Sequence, residues 1–311
     1  MASHTVPEDQ VHYLWDEGNE PTLRIASGDE VDVRTREVSD DQLTPDSTAE
    51  DLGSLDMDRL YPLVGPIYVE GAEPGDTLAV EILSIETQGW GWTAILPGLG
   101  LLTEEFPDPY LRIFDLSEGR GGVTRLDDVA AIPIEPFFGT MGVCPAGASA
   151  QPVMPHGVFG GNMDTRQLVQ GSTLYLPVHM DGALFSCGDA HGAQGDGEVC
   201  VTGIEAPMAG RFRLSVERGR TIAAPQWLCP GPLTPRVDAG GFFATTGVGP
   251  DLYVASQDAV RAMIDHLTAT RPLSGEDAYV LASLCVDLKI SEIVDAGQYI
   301  VSAALPLAVF S

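Results

Sequence analysis

Short runs of alternating hydrophobic and polar residues, separated by glycine and proline, cover most of the chain. In residues 28–33 (GDEVDV) and 75–82 (GDTLAVEI), a Gly-Asp turn precedes a segment in which every second residue is a branched aliphatic. This period places one face of a strand in the core and the other toward solvent. The 35 glycines and 23 prolines are typical of a β fold with many turns. Residues 36–58 are acidic and rich in Ser and Thr, and they are predicted to form an exposed loop or a lid.

The spacing of apolar residues becomes helical in the last quarter of the chain. Residues 256–267 carry one apolar face at a period of 3.6 residues, with Ser256 as the predicted N-cap. A second helix is predicted from Ser274, because the segment SGED has an acid three residues after the serine. We therefore predict a mainly β body, sandwich- or barrel-like with many short strands, over residues 1–230. An α+β C-terminal portion is expected to pack on it over residues 231–311.

The charge of the chain is strongly negative, with 45 acidic against 16 basic residues, a net charge of −29 and a pI near 4.2. Phosphate recognition needs clustered lysine and arginine, so nucleic acids and anionic membranes are excluded as partners. Lys289 is the only lysine. Surfaces rich in acid and poor in lysine suit proteins that work in concentrated salt, where repulsion is screened within a few ångströms. An ordinary acidic soluble protein is the alternative.

The halophilic interpretation predicts that the melting temperature rises between dilute buffer and molar KCl. Screening weakens the repulsion among the many like charges of the folded surface, and so stabilises the compact state. A melting series from low salt to molar KCl measures this effect. Equal stability at both ends of the series would contradict the interpretation.

The cysteines and the N-terminus indicate a cytoplasmic protein. The five cysteines include no CxxC pair, which argues against a disulfide framework and against a cysteine-based zinc ribbon. The longest apolar stretch, residues 299–310, is too short to cross a bilayer and contains Pro306. The first residues, MASHTVPEDQ, lack the basic and apolar regions of a signal peptide. We expect a cytoplasmic protein with free thiols and no membrane partner.

Candidate chemistry is concentrated in residues 184–200, LFSCGDAHGAQGDGEVC, which begin like a strand and then break into four glycines. Glycine lets the backbone adopt positive φ and lets a ligand approach closely. Asp189 and His191 offer oxygen and nitrogen ligands two residues apart, which suits Zn²⁺ or a similar divalent ion. Asp196 and Glu198 would share a strand face, so that one could complete the coordination and the other could act as a base. A solvated acidic loop without function is the alternative.

A second candidate segment, residues 160–168 (GGNMDTRQL), places an amide and an acid after two glycines. Asp164 is a candidate further ligand, and Asn162 is a candidate to hold a substrate carbonyl or to orient a ligand. A Gly-Gly turn with Asn and Asp as turn formers would explain the same residues without function. Cys187 is an alternative nucleophile with His191 as its base, although the sequence places no basic neighbour or helix N-terminus beside it to lower its pKa.

Three phrases, GGNMDTRQL, GSTLYLPV and GALFSCGDAHGAQGDGEVCVTGIEAPM, resemble the acetamidase/formamidase family. Members of this family hydrolyse short aliphatic amides to a carboxylate and ammonia. The similarity extends to residues 65–83 and to residues 136–146 (PFFGTMGVCPA). The family commonly has a histidine directly before Gly-Gly-Asn, where this chain has Phe159, and the nearest histidine is His156.

The resemblance implies an oligomeric, mostly β protein that takes a small amide as its substrate and holds a divalent metal. Zinc is the first expectation for that metal and calcium is the alternative. The implied metal ligands are Asp164, Asp189 and His191. The implied groups that position the substrate are Asn162 and Gln194.

The expected reaction uses a metal-activated water. A bound cation would polarise the amide carbonyl and lower the pKa of its water. Glu198 is the implied general base, which would take the proton of the water and deliver it to the leaving nitrogen. The alternatives are a Cys187-dependent amidase and a catalytically silent small-molecule-binding protein of the same fold.

Overall fold

In the computed structural model, residues 2–7, 9–231, 241–294 and 297–310 are described, and over these ranges the protein is mostly β with many short strands, as predicted. The strands are β1 (Ser3–Thr5), β2 (Val11–His12), β3 (Leu14–Trp15), β4 (Leu23–Ala26), β5 (Asp29–Thr35), β6 (Leu63–Glu70), β7 (Thr77–Thr87), β8 (Trp90–Ile95), β9 (Tyr110–Asp115), β10 (Val123–Leu126), β11 (Ala130–Pro133), β12 (Phe137–Val143), β13 (Gln151–Pro152), β14 (Gly160–Asn162), β15 (Thr173–Pro177), β16 (Phe185–His191), β17 (Met208–Glu217), β18 (Gln226–Leu228), β19 (Phe242–Gly249), β20 (Asp287–Glu292) and β21 (Tyr299–Pro306). The helices are α1 (Leu252–Thr270), α2 (Gly275–Cys285) and short 3₁₀ turns at Asp51–Ser54, Met57–Arg59 and Leu307–Phe310.

Most of these strands belong to two sheets. One has the order β1-β5-β17-β7-β15-β18, and the other has the order β14-β12-β16-β6-β2 with β4 also paired to β6. The two predicted Gly-Asp strands are β5 and β7, and both pair antiparallel with β17. Buried and less buried residues alternate along β5, as the sequence pattern requires of a strand with one face in the core.

The two sheets pack against each other through aromatic side chains. Phe212 of β17 lies between Val31 and Ile82 on the neighbouring strands. Its ring makes edge contacts with Phe138 of β12 at 5.2 Å and with Phe185 of β16 at 6.0 Å between centroids. Such T-shaped pairs are favourable beyond the area they bury. The sandwich therefore supplies a rigid base, and the second sheet carries the residues considered below.

The helical portion follows the sequence pattern on its buried face but not at its start. The apolar face predicted for residues 256–267 is buried in α1. The predicted N-cap at Ser256 is wrong, because Asp251 caps the helix by accepting hydrogen bonds from the backbone N–H groups of Tyr253 and Val254. Ser274 caps α2 as predicted, accepting from the backbone N–H of Asp277 at 3.0 Å. None of the described helices is both long and apolar enough to span a bilayer.

The C-terminal part forms its own small layer. Strands β19, β21 and β20 make a three-stranded antiparallel sheet, and α1 packs against β19 and β21. The proposed division of the chain at residue 230 stays a prediction, since residues 232–240 lie outside the described ranges.

Candidate active site

Three adjacent strands of the second sheet bring the two candidate segments together. Thr140 of β12 pairs with Asn162 at the end of β14 and with Gly188 of β16. Strands β14 and β16 both run antiparallel to β12, so their C-terminal ends lie on the same side of the sheet. His191 ends β16 and Asp164 follows β14 by two residues, and their side chains therefore meet there. Nε2 of His191 is 3.5 Å from Oδ1 of Asp189 and 3.9 Å from Oδ1 of Asp164.

Glycine at position 139 makes this approach possible. The carbonyl of Gly139 accepts hydrogen bonds from the backbone N–H groups of Met163 and Asp164. A Cβ at this position would overlap Oδ1 of Asp164 and would lie 2.7 Å from the carbonyl oxygen of Asp189. Any side chain at position 139 would therefore push Asp164 and Asp189 apart.

A further carboxylate, that of Glu205, completes the cluster. Its Oε2 lies 3.0 Å from Nε2 of His191, and its Oε1 accepts a hydrogen bond from the backbone N–H of Gly203 at 2.9 Å. An isolated antiparallel bridge between His191 and Glu205 brings it there. Sequence reasoning missed Glu205, because it lies beyond the glycine-rich loop and shares no ligand spacing with Asp189 or His191.

Three buried polar atoms of the cluster have no hydrogen-bond partner among the described residues. They are Oδ1 of Asp164, Nε2 of His191 and Oε2 of Glu205, the last two of which lie close to each other without forming a hydrogen bond. Leaving such atoms unpaired costs about 1–3 kcal/mol each unless a ligand satisfies them. One nitrogen and several carboxylate oxygens that converge on one point fit a divalent cation, and the ligand atoms of Asp164, Asp189 and His191 lie within 4.8 Å of one another. The cluster is thus compatible with a divalent metal ion.

Gln194 fixes the tautomer of His191. The amide nitrogen of Gln194 donates to the backbone carbonyl of Asp164 at 2.8 Å, which leaves its carbonyl Oε1 facing Nδ1 of His191 at 2.7 Å. Because a carbonyl oxygen can only accept, Nδ1 must carry the proton. In the neutral imidazole, Nε2 of His191 is then the nitrogen with a lone pair, and it faces the carboxylates.

Glu198 lies on the other side of the imidazole ring. Its Oε1 is 3.8 Å from Nδ1 of His191, and its side chain is partly exposed to the cavity described below. Glu198 has a φ of 43°, and Asp164 and Asp189 have φ of 43° and 50°. Left-handed backbone is uncommon for residues other than glycine, and it concentrates at functional sites. In this cluster, Asp164, Asp189 and Glu198 all adopt this left-handed conformation.

Three acids of the cluster, Asp164, Glu198 and Glu205, hold their protons more tightly than usual. Burial, followed by the charge of Asp189, raises the pKa of Asp164 to about 7. Burial raises the pKa of Glu205 to about 8, although His191 opposes it, and burial with the charge of Asp164 raises the pKa of Glu198 well above its ordinary value. Burial alone would lower the pKa of His191, but the charges of Glu205 and Asp189 raise it instead. A bound cation would reverse this balance by favouring the ionised carboxylates.

Asp196 is turned away from the cluster. Its Oδ1 accepts a hydrogen bond from the side-chain amide of Gln167 at 2.8 Å and lies 3.4 Å from Nε of Arg166. Of the two acids left open by the sequence, only Glu198 lines the cavity. Asp196 instead shapes the loop that carries Gln194 and Glu198.

The C-terminal part of the chain forms hydrogen bonds with the loop that carries Gln194 and Glu198. The backbone N–H of Gly195 donates to the carbonyl of Ser283 in α2 at 2.8 Å. The backbone N–H of Asp196 donates to Oδ1 of the fully buried Asp287 at 3.1 Å. Arg166 links the same elements by donating to Asp287 and to the backbone carbonyl of Gln194.

A cavity of about 420 Å³ opens over the cluster. The segment of residues 36–58, predicted as a loop or lid, forms one wall of this cavity. Tyr61 also lines the cavity, near the acids. Burial and the charge of Asp189 raise the pKa of Tyr61. His156 is exposed at the cavity edge, whereas Phe159 is buried and packs against Trp15.

The surroundings of Cys187 do not favour a nucleophile. Its side chain is fully buried, it does not line the cavity, and burial raises its pKa. A thiol needs a lowered pKa and access to substrate to attack an amide.

We expect Cys187→Ala to keep kcat within about twofold and to lower the free energy of unfolding by about 1 kcal/mol, as a small cavity would. Kinetics and denaturant unfolding on the same preparation measure both. Loss of turnover in a variant that still folds and binds metal would restore the cysteine mechanism.

Comparisons with known proteins give one matching family and several similar proteins. The sequence profile of the Acetamidase/Formamidase family matches residues 2–151 and 146–311. A formamidase from Methylophilus methylotrophus is 26% identical, with 97% of this chain and 90% of that protein covered. A gamma lactamase from Delftia acidovorans has a TM-score of 0.90 at 25% identity, over 99% of this chain and 93% of the other. An acetamidase from Bacillus halodurans has a TM-score of 0.69 at 31% identity, over 97% of both chains.

Proposed function

The chain belongs to the acetamidase/formamidase family and is an amidohydrolase, and we propose that it cleaves the C–N bond of small linear amides with the help of a divalent metal ion. The products are a carboxylate and ammonia. The observation that supports the metal is that buried donor atoms of Asp164, His191 and Glu205 have no hydrogen-bond partner and belong to two overlapping groups of possible ligands that share His191.

The residues that would hold the ion are Asp164, Asp189 and His191, with Glu205 as a fourth ligand. This donor set is rich in oxygen, which suits zinc as well as harder divalent ions. When bound, such an ion polarises an amide carbonyl and lowers the pKa of a water molecule beside it. Gln194 holds Nδ1 of His191 protonated, so that Nε2 stays available as a ligand.

Glu198 is the proposed proton carrier. It lines the cavity beside the cluster, where an ionised carboxylate can accept a proton from water and then release it to the departing nitrogen. Delivery of this proton to the nitrogen avoids release of an amide anion, which is a very poor leaving group.

Asn162 is the proposed group that positions the substrate. It lines the cavity, and Thr140 lies within 3.1 Å of its Oδ1. Its side-chain nitrogen carries two N–H groups, one of which is directed at the carbonyl of Met154 at 3.4 Å. The other N–H is available to a substrate carbonyl in the cavity.

The proposal is tested by metal analysis of the purified protein together with ammonia release from formamide and acetamide in molar KCl. A bound divalent ion in about equal amount to the chain and ammonia production that a chelator abolishes are expected. Turnover that survives complete removal of metal would overturn the metal-dependent mechanism. Absence of hydrolysis of every linear and cyclic amide, with metal bound, would favour a silent binding protein.

A cyclic amide is a second candidate substrate. It is favoured by the TM-score of 0.90 to the gamma lactamase, against 0.69 to the acetamidase. The two reactions give different products, because ring opening of a γ-lactam yields an amino acid and no ammonia. Assaying both products separates the candidates.

A further inference from the structure

The cavity next to the acid cluster has more room, and a different lining, than a formamide or acetamide requires. We propose that the preferred substrate is a neutral amide whose acyl group is apolar and contains at least about four carbon atoms. This inference rests on the proposed function and specifies its substrate class.

The first argument is volume. The cavity measures about 420 Å³, within the range that proteins use for ligands far larger than acetamide. A water molecule takes about 30 Å³ of liquid, so the space would hold on the order of ten waters. A metal ion, its water and an amide group occupy only the end formed by the acids.

The second argument is the chemistry of the walls. Away from the acids, the lining consists largely of aliphatic and aromatic side chains, among them Val38, Leu55, Leu96, Leu99 and Trp92. Several of these belong to a hydrophobic cluster separate from the main core. Water in such a space makes few hydrogen bonds, and an apolar group that displaces it gains the free energy of burial.

The third argument is charge. Among the described residues that line the cavity there is no lysine or arginine, whereas Asp164, Asp189, Glu198 and Glu205 all face it. An acyl group that ends in a carboxylate would lose its hydration without gaining a cationic partner. The walls thus favour a neutral, apolar substituent over an anionic one.

The wall is held in place by buried acids of its own. Oε2 of Glu37 accepts hydrogen bonds from Nε1 of Trp92 and from the backbone N–H of Ser39, each at 2.8 Å. Asp40 is paired with Arg59, whose Nε donates to it at 2.9 Å. The backbone N–H of Tyr61 closes the segment by donating to the carbonyl of Val38. The space is therefore built into the fold, and it does not depend on a loose loop.

The mouth also suits apolar groups of varied shape. Met57 is 63% exposed and Met154 is 40% exposed, and both line the cavity. Methionine is unbranched and flexible, so it adapts to different ligands.

The test is a series of primary amides, from formamide and acetamide to butyramide, hexanamide and benzamide, with succinamate as the anionic control. If the acyl chain is buried, kcat/KM should rise about fourfold for each added methylene, or about two orders of magnitude between acetamide and hexanamide. Succinamate should be hydrolysed at least tenfold more slowly than butyramide, which has the same chain length.

A filling variant locates the effect in this cavity. Leu99→Trp should lower the ratio of kcat/KM for hexanamide to kcat/KM for formamide at least tenfold, and Met57→Trp at the mouth is a second filling variant if the first folds poorly. Leu228→Trp is the matched control, because Leu228 is exposed on β18 outside the cavity, and it should leave the ratio unchanged.

The outcomes separate this inference from the function on which it rests. Hydrolysis of formamide and acetamide with a decline toward hexanamide would overturn the inference and leave the amidase intact. No hydrolysis of any amide would overturn the function itself. A hexanamide preference that neither filling variant reduces would place the acyl group outside this cavity and so contradict the inference.

Discussion

Glu198→Gln is expected to lower kcat by about 10²–10⁴ while the protein keeps its metal. Glutamine has nearly the same shape as glutamate but cannot accept a proton from water, and general acid–base catalysis contributes a factor of this size. Glu198 also stands on the Nδ1 side of His191, away from the nitrogen with the lone pair. Steady-state kinetics and metal content, measured on the same preparation, give the two quantities.

Glu70→Gln is the matched control, because Glu70 is exposed at the end of β6 and does not line the cavity. It should change neither kcat nor metal content. A Glu198→Gln variant with a rate near that of the wild type would exclude Glu198 as the base. Loss of the metal in this variant would instead identify Glu198 as a ligand, consistent with its proximity to His191 and Glu205.

Chelation of the metal is expected to abolish turnover and to make stability fall as pH rises. The ordinary pKa values of Asp164 and Glu205 are 3.8 and 4.5, and in the folded protein they rise to about 7 and about 8. The unfolded chain therefore loses these protons first, so the metal-free folded state is progressively destabilised between about pH 4 and pH 8. His191, with a raised pKa, changes stability in the same direction.

Bound metal should reverse the trend, because ligands must be deprotonated to bind it. At a free metal concentration 100 times Kd, binding contributes about 2.7 kcal/mol, which corresponds to roughly 4 °C in Tm for a chain of 311 residues. Thermal melting with and without metal between pH 5 and pH 8 measures the difference. A chelated protein whose Tm rises steadily over this range would contradict the description of the acid cluster.

The sequence predicted the elements whose signal is local. Alternation identified β5 and β7, and the SGED segment identified the start of α2, because strand burial and helix capping depend on residues a few positions apart. The start of α1 was mispredicted since both Ser256 and Asp251 are good caps. Only the packing of Leu252 and the residues after it extends the helix back to Asp251.

The candidate site shows the same limit. Asp189 and His191 could be identified because they are close in the chain, and Asp164 because it follows two glycines and an amide in a phrase that also resembles a family motif. Glu205 depends on a single bridge to His191, and the apolar wall depends on residues some hundred positions away in the chain. Neither leaves a periodic or spacing signal, so a three-dimensional structure is needed to find them.

The bonds from Ser283 and Asp287 to the loop that carries Glu198 have a consequence for biosynthesis. All strands of the two main sheets precede residue 230, whereas the groups that support this loop lie in α2 and β20 and are translated later. If these bonds are needed to hold Gln194 and Glu198 in place, we expect the candidate site to form only when translation is nearly complete. A chain that ends near residue 280 would contain every candidate site residue but neither Ser283 nor Asp287, and we expect it to be inactive.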